Sequence, residues 1–223
     1  MVRRSQDQAG LPDGPTRRPG RPRLTEPSEQ HLRRLEEIVA TAVTVFHDKG
    51  YTEGTLEDVA ANLGLQKASL YHYVSSKAEL LHRVFDHAIS SALKRLDNLT
   101  RVDDPRERLA GLIREQVQII SEEPGLFVVF FDNRPRLDQS YEAQIRAKEQ
   151  DYLRIFAEAV EAAVAAQGLP AVDGRVAAQA LLGMTTWIYK WFNPARDDAG
   201  MVADTFVRLI LAPRGGAADR DPG

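Results

Sequence analysis

Apolar residues recur along this chain at the three- and four-residue spacing of amphipathic helices. Leu35, Ile38, Val39, Ala42 and Phe46 mark a first helix that starts near Ser28 and ends at Lys49-Gly50. Leu56, Val59, Ala60 and Leu63 stand at i, i+3, i+4 and i+7, one face of a short second helix. Thr55 is its N-cap candidate, and Asp58 three residues on closes an approximate capping box. Gly64, free of a Cβ, supplies a left-handed turn, and Lys67 to Tyr73 resumes helical spacing. A long helix follows from Lys77 to about Leu99. Asp103-Asp104-Pro105 caps and opens the next, whose face is Leu109, Leu112, Ile113 and Ile120, and Glu123-Pro124-Gly125 breaks it.

Leu126 to Phe131 is apolar all round, which fits a buried short helix or a buried strand. Helix is preferred, because no other stretch offers it a partner strand. Asn133 to Arg136 reads as a loop. Asp138 to Gln167 reads as one long amphipathic helix with Ile145, Tyr152, Ile155, Phe156 and Val160 inward. After a connection at Gly168 to Gly174 come two apolar helices, Arg175 to Phe192 and Met201 to Leu211, separated by Asn193-Pro194 and Gly200. About nine helices and no convincing strand predict an all-α fold. The expected division is a flexible basic arm over 1–28, a helix-turn-helix unit over 29–80, a larger helical domain over 81–213 and a flexible tail over 214–223.

Composition narrows the chemistry. With 223 residues, 43% of them hydrophobic, the chain can bury a full core without a staple. It has no cysteine, which removes thiolate catalysis, zinc–thiolate sites and disulfides together. The N-terminus lacks the apolar stretch of a signal peptide, and the longest apolar run is far short of the ~20 residues that span a bilayer. A cytoplasmic protein with no membrane segment is expected. Net charge is −3, so partners must be read from charge distribution instead. Residues 1–34 hold eight Arg against four acids, and Gly64 to Ala78 holds Lys67 and Lys77 with no acid. Clustering matters more than the total, because charge is screened beyond ~8–10 Å at physiological salt.

Two helices as short as those around Gly64 bury little by themselves. Their arrangement suits presentation of the second to the DNA major groove. Upstream, Arg17-Arg18-Pro19-Gly20-Arg21-Pro22-Arg23 is slim enough to enter a minor groove, with Arg21 and Arg23 as the contacts. Gln66, Lys67, Ala68 and Ser69 open the second helix, where side chains reach base edges. Gln pairs with adenine and Lys donates to guanine. Tyr71, His72 and Tyr73 suit phosphate contact and packing. Thr55 and Lys77 stand at helix starts, where amide groups and a cation suit a phosphate oxygen.

These residues carry a resemblance. Gly50-Tyr51, Thr55 to Ala60, Gly64 to Tyr73 and Lys77 to Leu80 resemble the DNA-binding domain of the TetR family of bacterial transcriptional regulators, over roughly residues 30–82. Gln66 departs from a Ser cap common there, and Val74 from a Phe. The resemblance implies a homodimer on double-stranded operator DNA and repression as the commoner mode. It also implies an all-α C-terminal domain that binds a small effector and dimerises through its last two long helices. Gly183 to Phe192 followed by Asn193-Pro194, together with Phe131 to Leu137, is similar to a branch whose members answer to acyl-CoA thioesters. Such an effector needs an apolar tunnel, for which Phe127, Phe130, Phe131, Tyr152, Phe156 and Trp187 are the candidates. It also needs cations for its phosphates, for which Arg134, Arg136, Arg146 and Lys190 are the candidates. A drug-like or aromatic hydrophobe is the second choice of effector, and a regulator with no effector is the third. The helix from Lys77 is expected to carry the effector's influence to the DNA-binding unit.

Other classes find little support. His31, His47, His72, His82 and His87 make no metalloprotease pair, and no phosphate loop, dinucleotide fingerprint or nucleophile elbow occurs. No catalytic residue, metal or cofactor is expected. The rival reading is a helical lipid or acyl carrier, or an adaptor, without DNA function.

Overall fold

The computed structural model describes residues 28–211. Among them are nine α-helices, three 3-10 turns and no strand. The helices are α1 (Glu29–Glu53), α2 (Leu56–Asn62), α3 (Lys67–Leu70), α4 (Lys77–Leu96), α5 (Pro105–Glu122), α6 (Pro124–Asp132), α7 (Gln139–Ala166), α8 (Gly174–Thr186) and α9 (Ala199–Leu211). The 3-10 turns are Leu99–Arg101, Arg134–Arg136 and Trp187–Lys190. The basic arm with Arg21 and Arg23 and the tail from Arg214 lie outside the described residues.

Side chains that cap or break the chain set most boundaries. Ser28, Ser76, Asp104, Asp138 and Asp173 each accept a backbone amide at the start of α1, α4, α5, α7 and α8. Gly50, at φ 78°, breaks the course of α1 where the sequence placed its end, and one irregular turn to Glu53 follows. Three elements differ from the pattern-based reading. The helix expected to reach Leu99 stops at Leu96, because Asp97 accepts from Arg101 and its carbonyl from Thr100 in a local turn. The second helix of the helix-turn-helix is α-helical only over Lys67–Leu70. It then tightens, with His72 and Tyr73 amides bonded three residues back. The helix expected to reach Phe192 stops at Thr186. From there Tyr189 and Lys190 are drawn onto Asp132, and the Tyr189 ring lies 5.0 Å from that of Phe131.

Apolar faces meet in a continuous core running from Ile38 to Leu211. Helix α1 packs on α2, α4 and α6, while α5 is surrounded by α4, α7, α8 and α9. Helix α4 therefore belongs to both ends, and the expected division at 80/81 falls within it. Its Leu80, Leu81, Val84 and Phe85 are fully buried. The Phe85 ring meets that of Phe130 on α6 at 4.8 Å.

Candidate nucleic-acid interface and ligand cavity

The turn between α2 and α3 is built from local chemistry. Thr55 Oγ1 accepts from the Asp58 amide at 3.1 Å, and the Asp58 carboxylate accepts from the Thr55 amide at 3.0 Å. This is the reciprocal capping box. Lys49 reaches the same carboxylate at 2.6 Å, and with Thr55 it holds the Asp58 pKa down to about 2. Gly64 sits at φ 64°. Its amide bonds to Ala61 at 3.1 Å, and the Leu65 amide bonds to Ala60 at 2.8 Å. The two bonds form a Schellman ending that needs the left-handed glycine.

Beyond the turn, Gln66, Lys67, Ala68, Tyr71 and His72 are exposed, Ser69 and Tyr73 half-buried, and Leu70 and Val74 buried. Gln66 makes no side-chain cap bond, so its departure from Ser leaves the amide group free to face outward. Lys67 pairs with Glu57 at the start of α2, which raises the lysine pKa and lowers that of the carboxyl. The Lys67 ammonium also lies 5.7 Å from the Tyr71 ring. Tyr73 stacks on His31 of α1 at 4.7 Å, a packing role. Lys77 is turned inward: it donates to the Thr52 carbonyl at 2.9 Å and lies 4.5 Å from the Tyr51 ring. Burial pushes its pKa down, with the nearby Arg136 charge adding to the effect. Thr55, although exposed, is occupied by its capping box.

A second site lies in the C-terminal part. A half-open cavity of about 260 Å³ is lined by α4, α5, α6, α7 and α8. Four of the expected aromatic residues, Phe127, Phe130, Phe131 and Tyr152, line it. Two do not. Phe156 is fully buried in the core beside Tyr152, and Trp187 is 59% exposed and absent from the lining. The expected cations scatter. Arg134 donates to both oxygens of Glu149, itself a lining residue, at 3.0 Å. Lys190 holds both oxygens of Asp132. Arg146 pairs with Glu142 on the outer surface of α7, away from the cavity. Arg136 donates at 2.8 Å to Thr52 of α1, so it joins the two ends of the molecule instead.

Several lining residues escaped the sequence reading: Ala88, Ile89 and Ala92 on α4, Gln116 on α5, Glu149, and Thr186. Gln116 had a signal. It stands within the apolar ladder Leu109, Leu112, Ile113, Val117, Ile120, where a polar residue must find a buried partner. Lys148 was also unforeseen. It bridges from α7 to Asp86 and Ser90 of α4.

The molecule thus has a presented helix at one end and an apolar cavity at the other, with α4 common to both. Known proteins share this arrangement. The chain is similar to the transcriptional repressor KstR2 of Mycolicibacterium smegmatis, 24% identical over 190 residues, covering 83% of this chain and 92% of that one. It resembles the TetR-family regulator PfmR of Thermus thermophilus, with a TM-score of 0.73, 27% identity, and coverage of 78% and 96%. It likewise resembles AibR in complex with isovaleryl coenzyme A and operator DNA, with a TM-score of 0.73, 28% identity, and coverage of 81% and 99%. Residues 38–84 match the family described as bacterial regulatory proteins, tetR family, and residues 102–213 match the tetracyclin repressor-like C-terminal domain. The chain belongs to the TetR family of bacterial transcription regulators.

Proposed function

We propose that this regulator is a homodimeric repressor that leaves its operator when a short acyl-CoA thioester enters the cavity bounded by α4–α8. The observation that carries the reading is the cavity itself. It is apolar, and it is bounded by Ala88, Ile89 and Ala92 of the helix that leads out of the DNA-binding unit. The likeness to AibR, whose structure holds isovaleryl coenzyme A and operator DNA, supports the ligand class. The cavity measures about 260 Å³. That is small for a whole acyl-CoA, so a short acyl chain would enter and the nucleotide would stay outside. Lys190 is the cation to meet its phosphates, by exchanging Asp132, while Arg134 stays on Glu149, and Arg146, paired with Glu142, does not line the cavity. The reading assigns no catalytic step, and it places the protein in the cytoplasm beside DNA. Among the described residues no helix is long and apolar enough to cross a membrane. The division into a DNA-binding unit to about residue 80 and an effector domain to residue 213 goes with it. Thermal unfolding tests the ligand class. Hexanoyl-CoA at ~100 times its dissociation constant should add ~2.7 kcal/mol of stability, and an unchanged melting curve with short acyl-CoAs would exclude it.

On the DNA side, Gln66, Lys67, Ala68 and Ser69 are the base-reading candidates, with Tyr71 and His72 beside them for phosphates. Lys67 must exchange Glu57 for a base or phosphate, at small cost because exposed pairs are worth about 0–1 kcal/mol. Lys67→Ala should therefore weaken operator binding more than random-duplex binding, and equal loss on both would remove its base-reading role. Lys77→Ala should lower stability more than DNA affinity, because its ammonium ties α4 to the end of α1.

A further inference from the structure

One feature of the cavity is out of keeping with its apolar lining. Three polar side chains from three helices run in series along its wall. Tyr152 of α7 donates its hydroxyl to Gln116 Oε1 on α5, and Gln116 Nε2 donates to Thr186 Oγ1 at the end of α8, at 3.0 Å. Gln116 is 4% exposed and Tyr152 9%. The direction of the chain follows from burial. The Tyr152 hydroxyl proton has no acceptor other than Gln116 among the described residues, so the amide oxygen must face it and the amide nitrogen must face Thr186. Burial also pushes the Tyr152 pKa up, so the phenol stays protonated and keeps donating. Thr186 Oγ1 is then an acceptor for Gln116, and its own proton has no acceptor among the described residues. The series ends at the cavity wall in one unspent donor.

We propose that this unspent Thr186 hydroxyl reads the carbonyl oxygen of the effector, and that the cavity selects an uncharged acceptor such as a thioester over a free carboxylate. The inference rests on the acyl-CoA reading of the cavity and adds to it the atom that distinguishes an ester from an alkyl chain. Two further facts favour a neutral group. Among the described residues the one ionic side chain on the wall is Glu149, an acid, and its partner Arg134 is engaged by both carboxylate oxygens. A carboxylate in the cavity would lose its water and meet that acid without a free cation. A neutral carbonyl loses much less and recovers a hydrogen bond. The series also stiffens the donor. Gln116 is fixed by Tyr152 and in turn fixes Thr186, so little rotamer freedom remains to be lost when a ligand arrives.

The test compares two compounds of equal length by calorimetric titration of the full chain: hexanoyl-CoA, and its thioether S-hexyl-CoA, which lacks only the carbonyl oxygen. The expected result is a preference for the thioester of roughly five- to tenfold, the weight of one hydrogen bond. Thr186→Val should abolish that preference, while Thr186→Ser should retain it. Hexanoate should bind far more weakly than either compound. Equal affinity of the wild-type protein for thioester and thioether would overturn the carbonyl reading and leave the acyl-CoA reading standing. Failure of both compounds to bind would overturn the two together. Thr186 is half-buried at a helix end, so its variants should fold, and their melting curves check this.

Discussion

Replacing both Trp187 and Leu209 with glutamate should leave a folded monomer that binds its operator at least ~100-fold more weakly, the scale of avidity lost when two linked sites become one. Helices α8 and α9 carry an apolar surface that nothing in the described chain covers. Leu209 is 68% exposed, Met201 and Trp187 are each 59%, and Val176 is 50%. Scattered exposed apolar residues are ordinary on a monomer, but here they lie on the last two described helices and the turn after α8. A second copy packed antiparallel on them would bury the row and form a four-helix interface of the isologous kind. Glutamate at two such positions adds four charges to a two-fold interface and costs the monomer little, since exposed substitutions stay within about 0.5 kcal/mol. Sedimentation reads the mass and anisotropy reads the DNA affinity. A variant that remained dimeric would place the interface elsewhere.

Phe156→Ala should destabilise the protein by about 3–5 kcal/mol without a specific effect on ligand length, whereas Phe127→Ala should cost less and shift preference toward longer acyl chains. Both residues are large, aromatic and apolar, and both face inward. Phe156 is fully buried, with its ring 5.3 Å from that of Tyr152, so truncation leaves a closed void lined by well-packed neighbours. Phe127 already borders a cavity of about 260 Å³. Its removal enlarges an existing space, and a longer chain can fill what is vacated. Denaturant unfolding measures the first effect, and titration with acyl-CoAs of increasing length measures the second. The same length preference in Phe127→Ala and wild type would show that the cavity does not hold the acyl chain.

That contrast also marks what the sequence could convey. The capping box of Thr55 and Asp58, the left-handed Gly64 and the broken helix at Gly50 were legible, because each depends on residues within a few positions of one another. The all-α architecture followed from periodicity. Periodicity told that Phe156 faces inward, and an unbroken apolar run that Phe127 is buried, but neither told whether that means solid core or open cavity, since that depends on how α5, α6 and α7 leave space between them. Charges were harder still. Arg134, Arg136, Arg146 and Lys190 look alike in sequence, yet each finds a different partner: Glu149, Thr52, Glu142 and Asp132. Only chain folding decides those pairings. Lys77 shows the same limit at the DNA-binding end, where a residue at a helix start turned back onto Tyr51 and Thr52.

Two physical links join the cavity end of the molecule to the helix-turn-helix unit. Helix α4 lines the cavity with Ala88, Ile89 and Ala92 and begins three residues after the buried Val74 that anchors the presented helix. Arg136, in the turn that follows α6, donates to the Thr52 hydroxyl, and the carbonyl of the same Thr52 accepts from Lys77 at the start of α4. On the proposed function, a ligand that prefers one position of α4 and α6 would shift the two presented helices of a dimer away from successive major grooves, ~34 Å apart.

The decisive titration uses an operator selected from random duplexes by the purified protein and labelled for fluorescence anisotropy. Hexanoyl-CoA should release the bound duplex in a saturable manner, while CoA and hexanoate at the same concentrations should leave it bound. Anisotropy that stays high across the acyl-CoA titration, with ligand binding confirmed by calorimetry in the same buffer, would contradict an effector-released repressor.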